Sequence, residues 1–193
     1  ADFEFRQVHC EARDGERIPV YLLHRCGLER NGATSTLLYG YGGFGQSITP
    51  EYSPEVALWL SLGGIYALAN IRGGGEYGER WHQAGAGRNK QTSFDDFYAA
   101  AEYLVAERYT SPAHLVARGI SNGGLLTAVC ANQRPELFAA VVSEAPLVDL
   151  MFRLGWLLVM GLVVAVIAGT VLARRMIVPI RARSAAETGS ASD

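Results

Sequence analysis

Residues 119–123 read Gly119-Ile120-Ser121-Asn122-Gly123, with an apolar run before them and a helix-forming run after them. This Gly-x-Ser-x-Gly pattern is typical of a nucleophile elbow, a tight strand-to-helix turn that presents a serine for covalent attack. The flanking runs are those that such an elbow requires. An ordinary serine in a glycine-rich turn is the alternative, because so short a pattern also occurs by chance.

The base that such a serine needs is missing from the expected place. A serine hydroxyl attacks when a base removes its proton. In the fold that uses a nucleophile elbow, the acid and the histidine follow the nucleophile along the chain. Asp149 follows Ser121 too closely to be the triad acid. All four histidines precede Ser121: His9, His24, His82 and His114. The 193 residues are therefore expected to hold only part of a serine-hydrolase site.

Apolar runs and helix signals alternate along the first three quarters of the chain. Asp14-Gly15 predicts a hairpin within residues 6–25. Buried strands are predicted at residues 36–39, 65–70, 114–118 and 138–143. Helices are predicted from Ser53, from a capping box at Ser93-Phe94-Asp95-Asp96, and over residues 123–132. Alternation of this kind predicts an α/β fold with a mostly parallel sheet and flanking helices.

Composition excludes several classes of function. The net charge is −2 and no basic stripe is present, which argues against a nucleic-acid partner. Three widely spaced cysteines indicate neither a disulfide framework nor a zinc site. Gly73-Gly74-Gly75 is not followed by Lys-Ser/Thr, so a phosphate-binding loop is not expected. Helix capping explains Asp95-Asp96 more simply than a metal pair does. No cofactor and no metal are predicted.

The C-terminal part has a different character. Residues 154–173 are 20 residues without a charged side chain, and a helix of that length spans about 30 Å. Arg153 precedes this segment, and four arginines follow within residues 174–183. The pattern predicts a transmembrane helix with its C-terminal side in the cytoplasm, and a buried core helix is the alternative. Residues 184–193 are small and polar, which predicts disorder.

Six segments of the first part carry a resemblance to a known family. They are Leu38-Tyr39-Gly40-Tyr41-Gly42-Gly43-Phe44, Ala69-Asn70-Ile71-Arg72-Gly73-Gly74-Gly75-Glu76-Tyr77-Gly78, Asn89-Lys90-Gln91 with Phe94-Asp95-Asp96-Phe97, Tyr109-Thr110-Ser111-Pro112, Gly119-Ile120-Ser121-Asn122-Gly123-Gly124-Leu125-Leu126, and Ala131-Asn132-Gln133-Arg134-Pro135-Glu136-Leu137-Phe138. Together they resemble the catalytic α/β-hydrolase domain of the prolyl oligopeptidase family of serine peptidases. The resemblance extends over roughly residues 6–151.

The resemblance implies a role for four residues. Ser121 would be the nucleophile that attacks the carbonyl carbon after proline. The backbone N–H of Asn122 and the hydroxyl of Tyr41 would stabilise the oxyanion, and Phe44 would help line the proline pocket. The implied substrates are short proline-containing peptides. No cofactor and no defined protein partner are implied.

From Phe152 onwards the chain instead resembles the second membrane helix of a bacterial sensor protein, and residues 174–181 resemble the entry to a HAMP linker. The predicted organisation is a truncated α/β-hydrolase domain over residues 1–151, a transmembrane helix over 154–173, and a basic then disordered tail over 174–193. The join near residues 151–153 indicates a fusion, a rearrangement or an assembly error, and a genuine membrane-anchored pseudo-hydrolase is the alternative. The N-terminus has no signal-peptide pattern and resembles the interior of a longer chain.

Three functions follow as expectations. The first is a prolyl oligopeptidase-like serine peptidase that is itself nearly inactive because its triad Asp and His are missing. The second is a membrane-tethered module that binds peptides without cutting them, and the third is a sensor-type signalling protein. The expected location is the membrane if the tail is genuine. Otherwise it is the cytoplasm or periplasm, as for the family.

Overall fold

A computed structural model describes residues 2–147 and 158–168. The chain divides into two compact units, residues 1–148 and residues 149–193. The first unit opens with the predicted hairpin, in which β1 (Phe3–Glu11) pairs antiparallel with β2 (Arg17–Arg25). Gly15 supplies the positive φ of 83° that the connecting turn needs.

A mixed sheet forms the centre of this unit. Its other strands are β3 (Thr36–Gly40), β4 (Ile65–Ala69), β5 (Leu115–Ile120) and β6 (Ala140–Glu144). The six strands lie in the order β1-β2-β4-β3-β5-β6, and β4, β3, β5 and β6 run parallel. The carboxyl ends of β3 and β5 therefore meet at one edge of the sheet, which is where ligands bind in parallel α/β folds. The architecture fits a partial α/β-hydrolase fold.

Four helices connect these strands within residues 2–147. They are α1 (Pro54–Ser61), α2 (Glu79–Ala84), α3 (Lys90–Ala106) and α4 (Asn122–Gln133). Three-residue 3₁₀ turns occupy Gly87–Asn89, Pro112–His114 and Pro135–Leu137. The core lies where α3 and α4 pack on the sheet, and Phe97, Leu38 and Leu126 are fully buried in it.

The structure tests two predicted helix caps. The predicted cap of α1 is confirmed, because the Ser53 hydroxyl accepts a hydrogen bond from the Val56 N–H at 3.4 Å. The predicted capping box at residues 93–96 is wrong. Helix α3 begins at Lys90, and Ser93 and Asp96 lie buried inside it. Both side chains make tertiary contacts to the glycine-rich segment after β4 rather than capping their own helix.

In the second unit, residues 158–168 form a helix whose apolar side chains are exposed. Among residues 2–147 and 158–168, no helix is both long and apolar enough to cross a bilayer. The predicted 154–173 span lies partly outside the described residues. The predicted HAMP entry at 174–181 and the disordered end at 184–193 lie wholly outside them.

Candidate active site

Ser121 occupies the sharp turn between β5 and α4. Its backbone has φ 59° and ψ −112°, a conformation that L-residues adopt only under strain. The turn is anchored on both sides, because the Ser121 N–H donates to the Glu144 carbonyl at 2.9 Å and the Leu125 N–H donates to the Ser121 carbonyl at 3.1 Å. The structure thus gives the predicted elbow its expected geometry.

Two glycines make this turn sterically accessible. A Cβ on Gly119 would overlap the carbonyl of Gly123, and a Cβ on Gly123 would overlap the carbonyl of Gly40. Helix α4 therefore meets the end of β3 in direct backbone contact, and a side chain at Gly123 would separate these two elements, as one at Gly119 would separate α4 from β5. The close approach places the start of α4 beside the loop that follows β3.

That loop, residues 41–45, holds the other two predicted site residues. The Asn122 side-chain amide donates to the Tyr41 carbonyl at 2.5 Å, so the residue after the nucleophile fastens the loop. The Gly45 N–H donates to the Gly73 carbonyl at 3.2 Å and ties the loop to the glycine-rich segment after β4. Phe44 has φ 55° and a 67% exposed side chain. The structure therefore brings together Ser121, Asn122, Tyr41 and Phe44 at one edge of the sheet.

A cavity of about 370 Å³ opens beside Asn122. Phe44, His82 and Lys90 line it together with the backbone of Gly43 and Gly73 and with residues 85–87. A larger cavity of about 690 Å³ lies around Arg72 and Trp81 and shares no lining residue with it. We assign the smaller cavity to the site because Asn122 and Phe44 both line it, whereas Ser121 and Tyr41 are close in sequence to its lining residues but do not line it.

Three of the four histidines have hydrogen-bond partners other than Ser121. Nδ1 of His24 donates to the Arg25 carbonyl at 2.9 Å, and Nδ1 of His82 donates to the Gly73 carbonyl at 2.8 Å. Nδ1 of His114 lies 2.9 Å from the Ser111 hydroxyl, and His9 lies on β1. In residues 2–147, which include all four histidines, none hydrogen-bonds Ser121. Residues 2–147 and 158–168 also contain no group of three side chains suited to holding a metal ion.

A buried ion-pair network supports the glycine-rich segment behind the site. The Arg72 guanidinium makes two hydrogen bonds to the Asp96 carboxylate, at 2.9 and 2.5 Å, and two to Asp14, at 2.5 and 3.0 Å. These contacts raise the pKa of Arg72, and the hydrogen bonds from Arg72 lower the pKa of Asp14. Helix α3 and the β1–β2 turn are thereby joined to the segment that carries Gly73.

Sequence reasoning overlooked one residue of the cavity. Lys90 Nζ donates to the Gly42 carbonyl at 2.5 Å, in the middle of the 41–45 loop. Burial lowers the pKa of Lys90 to about 8. The available signal was its rarity, because Lys90 is the single lysine among the 17 basic Lys and Arg residues.

The profile of the prolyl oligopeptidase family matches residues 50–156. The chain belongs to the prolyl oligopeptidase family. It is 44% identical over 154 residues to a prolyl endopeptidase of Dictyostelium discoideum, covering 78% of this chain and 20% of that protein. It is 47% identical over 147 residues to an uncharacterized peptidase of Sinorhizobium fredii, covering 76% of this chain and 20% of that protein.

Solved structures agree with this assignment. The first unit resembles a post-proline cleaving enzyme from Rickettsia typhi, with a TM-score of 0.75, 42% identity and coverage of 77% of this chain and 22% of that chain. It also resembles prolyl oligopeptidase B from Galerina marginata, with a TM-score of 0.72, 41% identity and coverage of 75% and 21%. The chain thus spans about a fifth of the length of these relatives. The family resemblance seen in the sequence is thus confirmed. By family, the chain is a peptidase.

Proposed function

We propose that this chain carries the nucleophile and oxyanion half of a serine peptidase that cleaves short peptides after proline. The observation that carries the proposal is the strained turn at Ser121, fastened through the Asn122 side chain to the loop of Tyr41. Strain at a non-glycine residue persists where the surrounding structure enforces it, and it is characteristic of functional sites.

In the proposed reaction, Ser121 Oγ attacks the carbonyl carbon of the substrate's proline residue. The C–O bond to the serine forms as the carbonyl π electrons move to the oxygen. The backbone N–H of Asn122, at the N-terminus of α4, and the Tyr41 hydroxyl stabilise that oxyanion. Collapse of the tetrahedral species then expels the amine of the following residue, which takes up a proton, and leaves an acyl-serine.

The attack requires a base for the serine proton, and within residues 2–147 none of the four histidines hydrogen-bonds Ser121. His24, His82 and His114 have other partners, and His9 lies on β1. We therefore expect the 193-residue polypeptide to hydrolyse substrates only slowly when assayed alone, since an incomplete triad leaves only residual catalysis. Free imidazole in the buffer can replace an absent histidine as the base. It offers a way to test Ser121 without any further protein segment.

The experiment measures release of nitrophenol from an N-blocked prolyl p-nitrophenyl ester, with and without imidazole. The full chain is compared with Ser121→Ala in detergent micelles. After subtraction of the rate at which imidazole alone cleaves the ester in a protein-free blank, we expect an imidazole-dependent rate that Ser121→Ala abolishes and an acyl adduct on Ser121 in the mass spectrum. Equal rates for the two proteins at every imidazole concentration would overturn the proposal.

A second candidate function is a membrane-anchored module that binds proline-containing peptides without cutting them. The exposed apolar side chains of the 158–168 helix favour it, because a row of apolar residues in contact with water marks a surface that another phase or protein covers. Two results would favour this candidate. A proline-containing peptide would bind the full chain and the Ser121→Ala variant with equal affinity, and the full chain would not cleave it even when imidazole is present.

A further inference from the structure

Lys90 begins α3 and directs its ammonium group towards the candidate active site. Nζ donates to the Gly42 carbonyl at 2.5 Å and lies 3.4 Å from the Ser93 hydroxyl. It also lies 5.7 Å from the centre of the Phe94 ring. Within residues 2–147 and 158–168, no carboxylate pairs with this ammonium. Lys90 is therefore a half-buried cation whose contacts with the Gly42 carbonyl, the Ser93 hydroxyl and the Phe94 ring are all to neutral groups.

The Gly42 carbonyl lies in a tightly packed part of the 41–45 loop. Gly42 has φ 57°, and a Cβ there would overlap the Ile71 side chain. Its carbonyl oxygen is enclosed on the other side by Gly73, where a Cβ would overlap it. Lys90 thus satisfies an acceptor that is shielded by tight packing, and an enclosed acceptor without a donor is unfavourable.

Two neighbouring carbonyls of the loop are therefore held by side chains from two helices. Asn122 on α4 binds the Tyr41 carbonyl, and Lys90 on α3 binds the Gly42 carbonyl. These contacts hold the two successive peptide groups on either side of the Gly42 Cα. Backbone fixed at this point restricts the direction of the Tyr41 side chain.

The charge of Lys90 has an electrostatic consequence as well. Lys90 and His82 are the titratable side chains that line the cavity beside Asn122, and neither is negative. A cation that is partly desolvated without a counter-ion is unfavourable in the resting protein. Its field is favourable when negative charge develops nearby, as it does on the oxyanion of acyl transfer.

We propose that Lys90 is a positioning residue of the oxyanion hole, which fixes the 41–45 loop through the Gly42 carbonyl and favours the developing negative charge in the cavity. This inference rests on the proposed serine-peptidase function. The alternative is a purely structural role, in which Lys90 satisfies the carbonyl but does not affect the reaction of Ser121.

The test compares the full chain with Lys90→Met, which keeps the length of the side chain and removes its charge. Arg88→Gln is the matched control, since it removes one charge from an exposed residue of the adjacent 3₁₀ turn. The readout is the second-order rate constant for phosphonylation of Ser121 by a prolyl diphenyl phosphonate, at fixed imidazole and between pH 6.5 and 10. Circular dichroism melts verify that each variant is folded.

We expect the full chain to react about tenfold faster than Lys90→Met at pH 7, a smaller effect than removal of a direct oxyanion donor. The ratio of the two rates should fall as pH rises through about 8, where Lys90 loses its charge. The imidazole base is common to both proteins and cancels in this ratio. Arg88→Gln should match the full chain throughout.

A ratio that stays near one, or that does not change with pH, while the full chain reacts at Ser121 would overturn the role of Lys90 and leave the proposed function intact. A full chain that never reacts at Ser121 would overturn the proposed function instead.

Nuclear magnetic resonance then decides whether Lys90 holds the loop. Since Lys90 is the single lysine, ¹³Cε-lysine gives one signal, and the Gly42 and Gly43 amides should titrate with it. Amides that do not move with that signal would also overturn the inference.

Discussion

At the scale of single residues, Ser121 shows a conflict between local conformation and site geometry. With φ 59° and ψ −112° it lies in a region that glycine occupies at little cost and other residues do not. The anchoring hydrogen bonds at both sides of the turn enforce this conformation. The serine is retained although it strains the backbone, as expected for a residue whose hydroxyl has a function.

Replacing Ser121 by glycine should therefore stabilise the protein. We expect Ser121→Gly to raise the free energy of unfolding by about 1 kcal/mol, the difference between relieved strain and the added flexibility of glycine in the unfolded chain. Ser121→Ala keeps the Cβ and serves as the control, with a change near zero. Urea denaturation measures both. A Ser121→Gly protein that is no more stable than Ser121→Ala would show that the turn is not strained.

Among residues 2–147, Arg72 and Asp96 form the most buried ion pair, with 8% and 0% of their side chains exposed. Removing the Asp96 charge leaves the buried Arg72 with only the more exposed Asp14 as a counter-ion. We expect Asp96→Asn to lower the free energy of unfolding by about 3 kcal/mol. Glu107→Gln, which breaks the half-exposed pair with Arg30, should cost less than about 1 kcal/mol. Similar losses in the two variants would contradict this ranking.

Ser121 could be located from the sequence because the elbow motif is local and the tight turn requires glycine on both sides of the serine for steric reasons. The contacts of Ser93, Asp96 and Lys90 could not be found in the same way. Ser93 and Asp96 have the spacing of a capping box, but their partners are Arg72 and Gly85, which are distant along the chain. A pattern within four residues cannot distinguish a helix cap from a tertiary hydrogen bond, since both use the same oxygen atoms.

At the scale of elements, helix α4 and strand β3 depend on each other. The Cα of Gly123 packs on the carbonyl of Gly40, the last residue of β3, directly before the 41–45 loop. The helix N-terminus can approach the loop only because no side chain intervenes. The geometry of the oxyanion site therefore depends on a helix–strand contact rather than on the loop alone.

Gly123→Ala should disturb both stability and the site. We expect it to lower the free energy of unfolding by about 2 kcal/mol, since overpacking forces the backbone to move. It should also abolish phosphonylation of Ser121, because the elbow shifts away from Tyr41. Ala131→Ser, at an exposed position of the same helix, should change stability by less than about 0.5 kcal/mol. Thermal melts and labelling of a Gly123→Ala protein that match those of the parent would contradict the close packing.

Most elements were predictable because their apolar periodicity is strong. The hairpin, the four parallel strands and α1 lie within a few residues of their predicted positions. Helix α2 (Glu79–Ala84) was not predicted, since it is short and lies in a glycine-rich stretch that resembles a loop. The order of the strands was not predictable either. It depends on which crossovers pack helices against the sheet, and no single segment contains that information.

At the scale of the whole molecule, the two compact units differ in how far their apolar side chains are exposed to water. The first buries its apolar side chains beneath α3 and α4, whereas the described helix of the second exposes them. Exposed aliphatic side chains along a helix are unfavourable in water and favourable in hydrocarbon. We propose on this basis that the segment around residues 158–168 inserts into a bilayer, as the uncharged run over 154–173 predicts.

The full chain should therefore float with lipid vesicles in a density gradient. Val164, whose side chain is 61% exposed, lies near the middle of the uncharged run. Replacing it by arginine should cost about 3 kcal/mol for insertion, which corresponds to a loss of at least tenfold in the vesicle-bound fraction at equilibrium. Leu62→Arg alters a still more exposed apolar residue of the first unit, at 77%, and should leave flotation unchanged. A full chain that stays at the bottom of the gradient would refute the insertion. Equal losses for Val164→Arg and Leu62→Arg would show instead that the first unit mediates the attachment.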